Sequence, residues 1–165
     1  THLQPIDWVY VLLSPKQSNV ESYRETYLNS AYSIIRALKD HPIKRVVVVS
    51  STRVYGENAG EVVDDDTPIS PKDEQGKILA EMEQVYLDHY SERCTIIRPT
   101  GIYGGLSDRM NRLAVNTHIY PNIHWSNRIH IDDLSRFVNE DTIDEINILN
   151  ATKESMKYLF NHIFL

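Results

Sequence analysis

Apolar residues fall along the chain in runs of two alternating kinds. Trp8-Val9-Tyr10-Val11-Leu12-Leu13 is apolar on both faces, as strands inside a parallel sheet are. A strand is therefore expected from Asp7 to Leu13, ended by Ser14-Pro15. Between Glu21 and Lys39 the apolar positions are Tyr27, Leu28, Ala31, Ile34, Ile35 and Leu38, one stripe of a helix that His41-Pro42 stops. Arg45 to Ser50 is a second strand, built on Val46-Val47-Val48-Val49. Beyond the loop Gly56–Pro68, Ser70 reads as an N-cap and Pro71 as the first residue of a helix running to about Tyr90. Its apolar face is Ile78, Leu79, Met82, Val85 and Tyr86. Cys94 to Arg98 is a third strand closed by Pro99, and Thr100 to Gly105 reads as a loop. Later signals are weaker: a short helix at Met110–Val115, a strand at Ile129-His130-Ile131, and a helix capped by Asp132 through Leu134, Phe137 and Val138. A strand at Glu145–Leu149 and a helix at Glu154–Phe164 follow.

Strand, helix, strand, helix, strand, with helix-length connections, requires right-handed crossovers and so a parallel sheet. The expectation is an α/β fold with helices on both faces of the sheet. A length of 165 residues suits a single domain over 1–165.

Composition narrows the partners. Seventeen basic against twenty-three acidic residues give a formal charge of −6, which argues against a nucleic-acid binder or an anionic-membrane binder. No apolar run is long enough to span a bilayer and no charged-then-apolar leader opens the chain. The single cysteine, Cys94, excludes an internal disulfide framework and suits a reducing cytoplasm. It lies in a strand-like apolar run and reads as a core thiol. The acidic run Asp64-Asp65-Asp66 lacks the EF-hand spacing, and His130 next to Asp132 has no second ligand pair at metal spacing, so no metal site is expected.

Four segments in this order, VVVVSSTRVYG, a helix with Lys77, IIRPTGIYG and NRIHIDDL, resemble the extended short-chain dehydrogenase/reductase group, the NAD-dependent epimerase/dehydratase proteins. Asn29-Ser30-Ala31 resembles that family's helix with an asparagine near its start. The resemblance covers Asp7 to about Leu149. It implies a Rossmann-like domain, incomplete at its N-terminal side, with a small substrate-side region about 105–135. It also implies NAD or NADP as cofactor, a small-molecule substrate such as a nucleotide sugar, and a homodimer formed through the long helices. The family's glycine-rich GxxGxxG turn has no counterpart, since no glycine precedes Gly56. Spacing after Phe137 is compressed relative to the family. The arginine that grips the pyrophosphate in sugar-nucleotide relatives corresponds to Ser126, with Arg128 two residues further on.

The same resemblance places the site. The family uses a serine or threonine with a YxxxK pair, whose tyrosine is the general acid/base. Ser51 matches the hydroxyl and Lys77 the lysine, but the tyrosine position holds Asp73. Ser51, Lys77 and Asp73 are thus the candidate catalytic set. Ser14, Pro15, Ser50, Lys77, Pro99, Thr100 and Gly101, at strand ends or on the helix, are the candidate cofactor contacts. Tyr55 matches a packing tyrosine of the family's VYG turn. An aspartate ionises near pH 3.9, and a lysine four residues on, at a helix start, would lower it further. Asp73 is therefore expected to pair with Lys77, to stay ionised, and to have no proton to donate at neutral pH.

Overall fold

The computed structural model describes residues 5–56, 60–104, 115 and 127–139. They belong to two compact units: Thr1–Glu57 with Thr67–Arg98, and Asn58–Asp66 with Pro99–Leu165. The expected short helix at Met110–Val115, the strand at Glu145–Leu149 and the helix at Glu154–Phe164 lie outside the described residues, Val115 excepted. So does most of the region 105–135.

In the first unit a parallel three-stranded sheet runs in the order β1 (Trp8–Val11), β2 (Arg45–Val49), β3 (Cys94–Ile97). Register pairs Val9 with Val46 and Val11 with Val48 on one side, and Val46 with Cys94 and Val48 with Ile96 on the other. Side chains of paired residues share a sheet face, and this face carries the core. Val11, Val46 and Val48 are buried there against Ala31, Val54, Leu79, Met82, Tyr86 and Tyr90. Trp8 and Tyr10 lie at the alternate positions of β1, are about two-fifths exposed, and stack at 6.4 Å.

The first helical stretch is the expected stripe with an interruption. A short α1 (Val20–Tyr23), capped by the Asn19 side chain on the Ser22 N–H, passes into a π-helical segment at Arg24–Asn29 and then α2 (Ser30–Leu38). π-helical turns widen the helix locally and recur at functional sites. Here the segment brings Tyr23 and Tyr27 to 5.2 Å of each other. The Tyr27 hydroxyl donates to the Leu13 carbonyl just past β1.

The second helix, α3 (Glu74–Tyr90), starts later than its sequence implies. Asp73, not Ser70, is the N-cap: its carboxylate accepts from the Gly76 N–H at 2.7 Å. Ser70 is drawn away because its N–H donates to the Val54 carbonyl at 2.9 Å, which keeps that stretch alongside the turn after β2. Pro71 consequently precedes the helix. Strands also end earlier than expected, at Val11, Val49 and Ile97.

Burial sets the chemistry of the one cysteine. Cys94 is partly buried, and desolvation, with the nearby Glu83 charge adding to it, pushes its pKa up to about 12. Thiolate is the reactive form. Native Cys94 should therefore react with a disulfide reagent at pH 8 at least about a hundredfold more slowly than a free thiol. The rate should recover in denaturant, and equal rates in both states would contradict this burial.

In the second unit, β4 (Gly101–Tyr103) pairs in parallel with β5 (Arg128–His130), which leads into α4 (Ile131–Asn139). The expected loop at Thr100–Gly105 is thus part strand. Its pairing to residues far along the chain explains why three residues with no apolar run give no local signal. Gly104, with φ of 93°, lies against the His130 ring, where a side chain would collide.

Candidate functional site

In the first unit the residues singled out from sequence gather at the C-terminal ends of β1 and β2 and at the start of α3. Open α/β sheets bind ligands at these strand ends. The unbroken valine run carries β2 to Val49, and Ser50 continues the ladder by donating its N–H to the Ile97 carbonyl at 2.7 Å. Its hydroxyl Oγ is buried and has no hydrogen-bond partner among the described residues. A buried hydroxyl without a partner costs free energy and fits a site completed by a polar ligand group. Ser51 then caps a single 3₁₀ turn, Thr52–Tyr55, accepting the Arg53 N–H on its Oγ at 3.2 Å. The Ser51 hydroxyl keeps its own proton for a second partner. Ser14 is exposed and Pro15 partly buried in the loop after β1.

Gly56 ends the turn in the left-handed region at φ 67°, where a side chain would also run into the Ser70 carbonyl. Gly76 permits a second close approach. A methyl there would meet the Arg53 carbonyl at 3.1 Å and Asp73 Oδ1 at 3.2 Å. Both glycines let the Ser51 turn and the start of α3 pack backbone to backbone.

Asp73 does not pair with Lys77. Its partner is Arg53, twenty residues earlier, from the middle of the 3₁₀ turn. Arg53 Nε donates to both carboxylate oxygens at 3.0 Å and Nη2 donates to Oδ2 at 2.8 Å. The physical reason is the shifted helix start. As the N-cap, Asp73 has extended backbone (φ −128°, ψ 165°), so it does not share a helix face with Lys77. Lys77 turns instead to Glu74, at 2.6 Å, and is solvent-exposed. The expected ionised state holds for a different cause. The Arg53 hydrogen bonds, chiefly, with the Gly76 N–H and the Arg53 charge, hold the Asp73 carboxyl below its ordinary value, and the distant Lys77 charge adds least. A carboxylate with both oxygens accepting from a guanidinium and a backbone N–H is a structural clasp with no proton to give.

The clasp extends further. Arg53 also reaches the Gln75 side-chain oxygen and lies over the Tyr23 ring at 5.6 Å, and Gln75 donates to Ser18. The turn after β2, the start of α3 and the end of α1 are joined through this one arginine. Sequence reading missed Arg53; its only mark is a charged residue inside the SSTRVYG turn.

A second polar group lies one strand over. Glu83 is 1% exposed on the buried face of α3. Arg98, directly after β3, forks onto it, Nε to both oxygens at 3.1 and 3.2 Å and Nη2 to Oε2 at 2.8 Å. The remaining Arg98 Nη1 donates to the Tyr55 hydroxyl at 2.9 Å, and the guanidinium stands 5.2 Å from the Tyr55 ring centre. A signal for this was present: Glu83 sits at a helical spacing otherwise held by Leu79, Met82 and Tyr86.

In the second unit, the Gly101 N–H donates to the Asn127 carbonyl, and a side chain at Gly101 would meet the Arg128 guanidinium. Pro99 and Thr100 precede β4 and are partly buried. The His130 Nδ1 accepts the Asp132 N–H at 3.3 Å and lies 3.5 Å from the Asp132 carboxylate. Its edge meets the Tyr103 ring at 5.1 Å. Among the described residues no group of three or more His, Cys, Asp or Glu is placed to hold a metal, and no helix is long and apolar enough to cross a membrane. Trp125 and Ser126 lie outside the described residues.

A parallel sheet with helices packed on it and hydroxyls at its strand ends is a Rossmann-like arrangement. The chain belongs to the NAD dependent epimerase/dehydratase family, whose model matches residues 2–131. Protein YeeZ of Escherichia coli K12 is 27% identical over 110 residues, covering 67% of this chain and 39% of that protein. A structure from Methylobacillus flagellatus, provisionally assigned as an NAD-dependent epimerase/dehydratase, is 37% identical with a TM-score of 0.61, over 72% of this chain and 42% of that one. The UDP-glucuronic acid 4-epimerase of Bacillus cereus, solved with UDP-glucuronic acid and NAD, has a TM-score of 0.69 at 20% identity, covering 86% of this chain and 51% of that one. At that identity the likeness shows the fold. The chain spans about half the length, or less, of these relatives.

Proposed function

We infer that this protein binds NAD or NADP at the strand ends of its parallel sheet and takes a nucleotide sugar or related small molecule, with the acid/base step of its relatives disabled. The observation that carries the reading is Asp73: the position that should hold a phenol holds a carboxylate consumed by Arg53 and the Gly76 N–H. The buried Ser50 hydroxyl, unpartnered among the described residues, and the Ser51 hydroxyl, whose proton is not used by the turn, support ligand binding at this end of β2. Lys77 would face ribose hydroxyls only after leaving Glu74, so it is a weaker part of the site than its match to the family implies. Ser14, Pro15, Pro99, Thr100 and Gly101 belong to the proposed cofactor contacts by resemblance. When bound, the nicotinamide would supply hydride transfer; the residues here would orient it without moving the accompanying proton.

This favours a binding or sensing role over turnover. A cytoplasmic location and a homodimer through α2 and α3, which expose Tyr32 and Leu87, belong to the same proposal. Thermal melting with NAD and with NADP tests it. A cofactor at a hundredfold excess over its Kd should add about 2.7 kcal/mol of stability. A melting temperature unmoved by both cofactors would remove the cofactor from the account. Appearance of an epimer of UDP-glucuronic acid in the presence of NAD would remove the claim of a disabled acid.

A further inference from the structure

Glu83, Arg98 and Tyr55 come from three different elements, α3, the end of β3 and the turn after β2. Their contact is built around a carboxylate withdrawn from water. Burying an ion pair seldom adds net stability, since desolvation offsets the attraction. Such a pair is better explained by the geometry it imposes. Arg98 spends its Nε and Nη2 on Glu83 and directs Nη1 to the Tyr55 hydroxyl. Glu83 thereby fixes the plane of the guanidinium, and the guanidinium fixes Tyr55 by a charge-assisted bond and by lying against its ring. Tyr55 is the last residue of the turn that Ser51 opens. The turn's own bonds are long, Val54 N–H to Ser51 carbonyl at 3.3 Å and Gly56 N–H to Arg53 carbonyl at 3.2 Å. The Ser70 N–H on the Val54 carbonyl is one external anchor of the turn. Arg53 supplies one at the middle of the turn, and Tyr55 supplies one at its end.

We propose that the Glu83–Arg98–Tyr55 array is a positioning device for the Ser51 turn, with Arg98 and Tyr55 acting on any bound ligand only through the placement of Ser51. The proposal rests on the reading above that Ser51 faces the ligand, but its first test needs no ligand. Tyr55→Phe keeps the packed ring and removes the hydroxyl. Arg98→Lys keeps a cation beside Glu83 and loses the fork. Native-state hydrogen exchange is followed at the Val54 and Gly56 amides and, as a reference, at the amides of β2. Each variant should exchange about tenfold faster at the turn amides with β2 unchanged. The double variant should be no faster than Arg98→Lys alone, because that change already removes the bond that Tyr55→Phe removes. Acceleration spread equally over β2 and the turn, or none at the turn, would overturn the proposal in favour of a merely structural pair. Cofactor titration of the same variants follows. At matched melting temperature, Kd should weaken severalfold in both; an unchanged Kd in variants with a loosened turn would break the link to the ligand. If the native protein binds neither NAD nor NADP, the cofactor reading falls, and the exchange result still decides the array.

Discussion

Replacing Glu83 with alanine is expected to destabilise the protein by about 3 kcal/mol, the low end for breaking a buried ion pair. The cost comes from what is left behind. The Glu83 side chain is 2% exposed and its partner Arg98 is 23% exposed, so Arg98 keeps a largely desolvated charge that has lost its carboxylate and retains only the Tyr55 contacts. Partial access to water is why the low end applies. Glu83→Gln retains an acceptor and should cost less. Replacing the pair together, Glu83→Leu with Arg98→Met, should restore most of the stability, since apolar groups of similar volume suffer no such penalty. That double variant also frees Tyr55, so stability and turn order should separate in it. Urea denaturation of the four proteins measures this. A Glu83→Ala loss below about 1 kcal/mol would mean that water reaches the pair.

Under the proposed function, Asp73→Tyr combined with Arg53→Ala is expected to raise NAD-dependent turnover of a nucleotide sugar by roughly 10² to 10⁴, the range of positioned acid/base catalysis. The tyrosine would return a phenol to the family's acid/base position, and Lys77 would favour its anion only after leaving Glu74. The second change matters because Arg53 would otherwise keep its charge at the mouth of the turn with its main partner removed. Stability should fall by about 1 kcal/mol, mostly for the lost N-cap, because the Arg53–Asp73 pair is half exposed. No gain, in a variant that still binds the cofactor, would show that the phenol is not the only missing part.

The fold was legible where residues of one kind run together. The valines of β2, the helical stripe through Ile34 and Leu38 and the buried positions Leu79, Met82 and Tyr86 each lie where their spacing implied. The motif segments around Ser51 and Lys77 were legible as a family resemblance, and the family's model matches residues 2–131. The start of α3 was not, because Ser70 and Asp73 are both good caps three residues apart, and a long-range bond from Ser70 to Val54 decides between them. The partner of Asp73 was not legible for the same reason. Local spacing offers Lys77, while the guanidinium that reaches it arrives from the neighbouring turn. β4 has only Gly101, Ile102 and Tyr103 and exists through pairing to β5. Local pattern reports periodicity and caps; it does not report which of two satisfactory local partners the tertiary packing selects.

The central claim is that Asp73 is an ionised clasp rather than an acid. Its folded value lies below the ordinary 3.8, lowered first by the Arg53 hydrogen bonds. The clasp's stabilisation is therefore complete above about pH 5 and is lost as pH falls through the lower folded value. Carbon-13 NMR of the Asp73 carboxyl against pH measures this directly. The account predicts a midpoint below 3.8 that rises in Arg53→Ala, with no proton on the carboxyl near neutrality. A midpoint above 3.8 in the native protein, unmoved by Arg53→Ala, would contradict it.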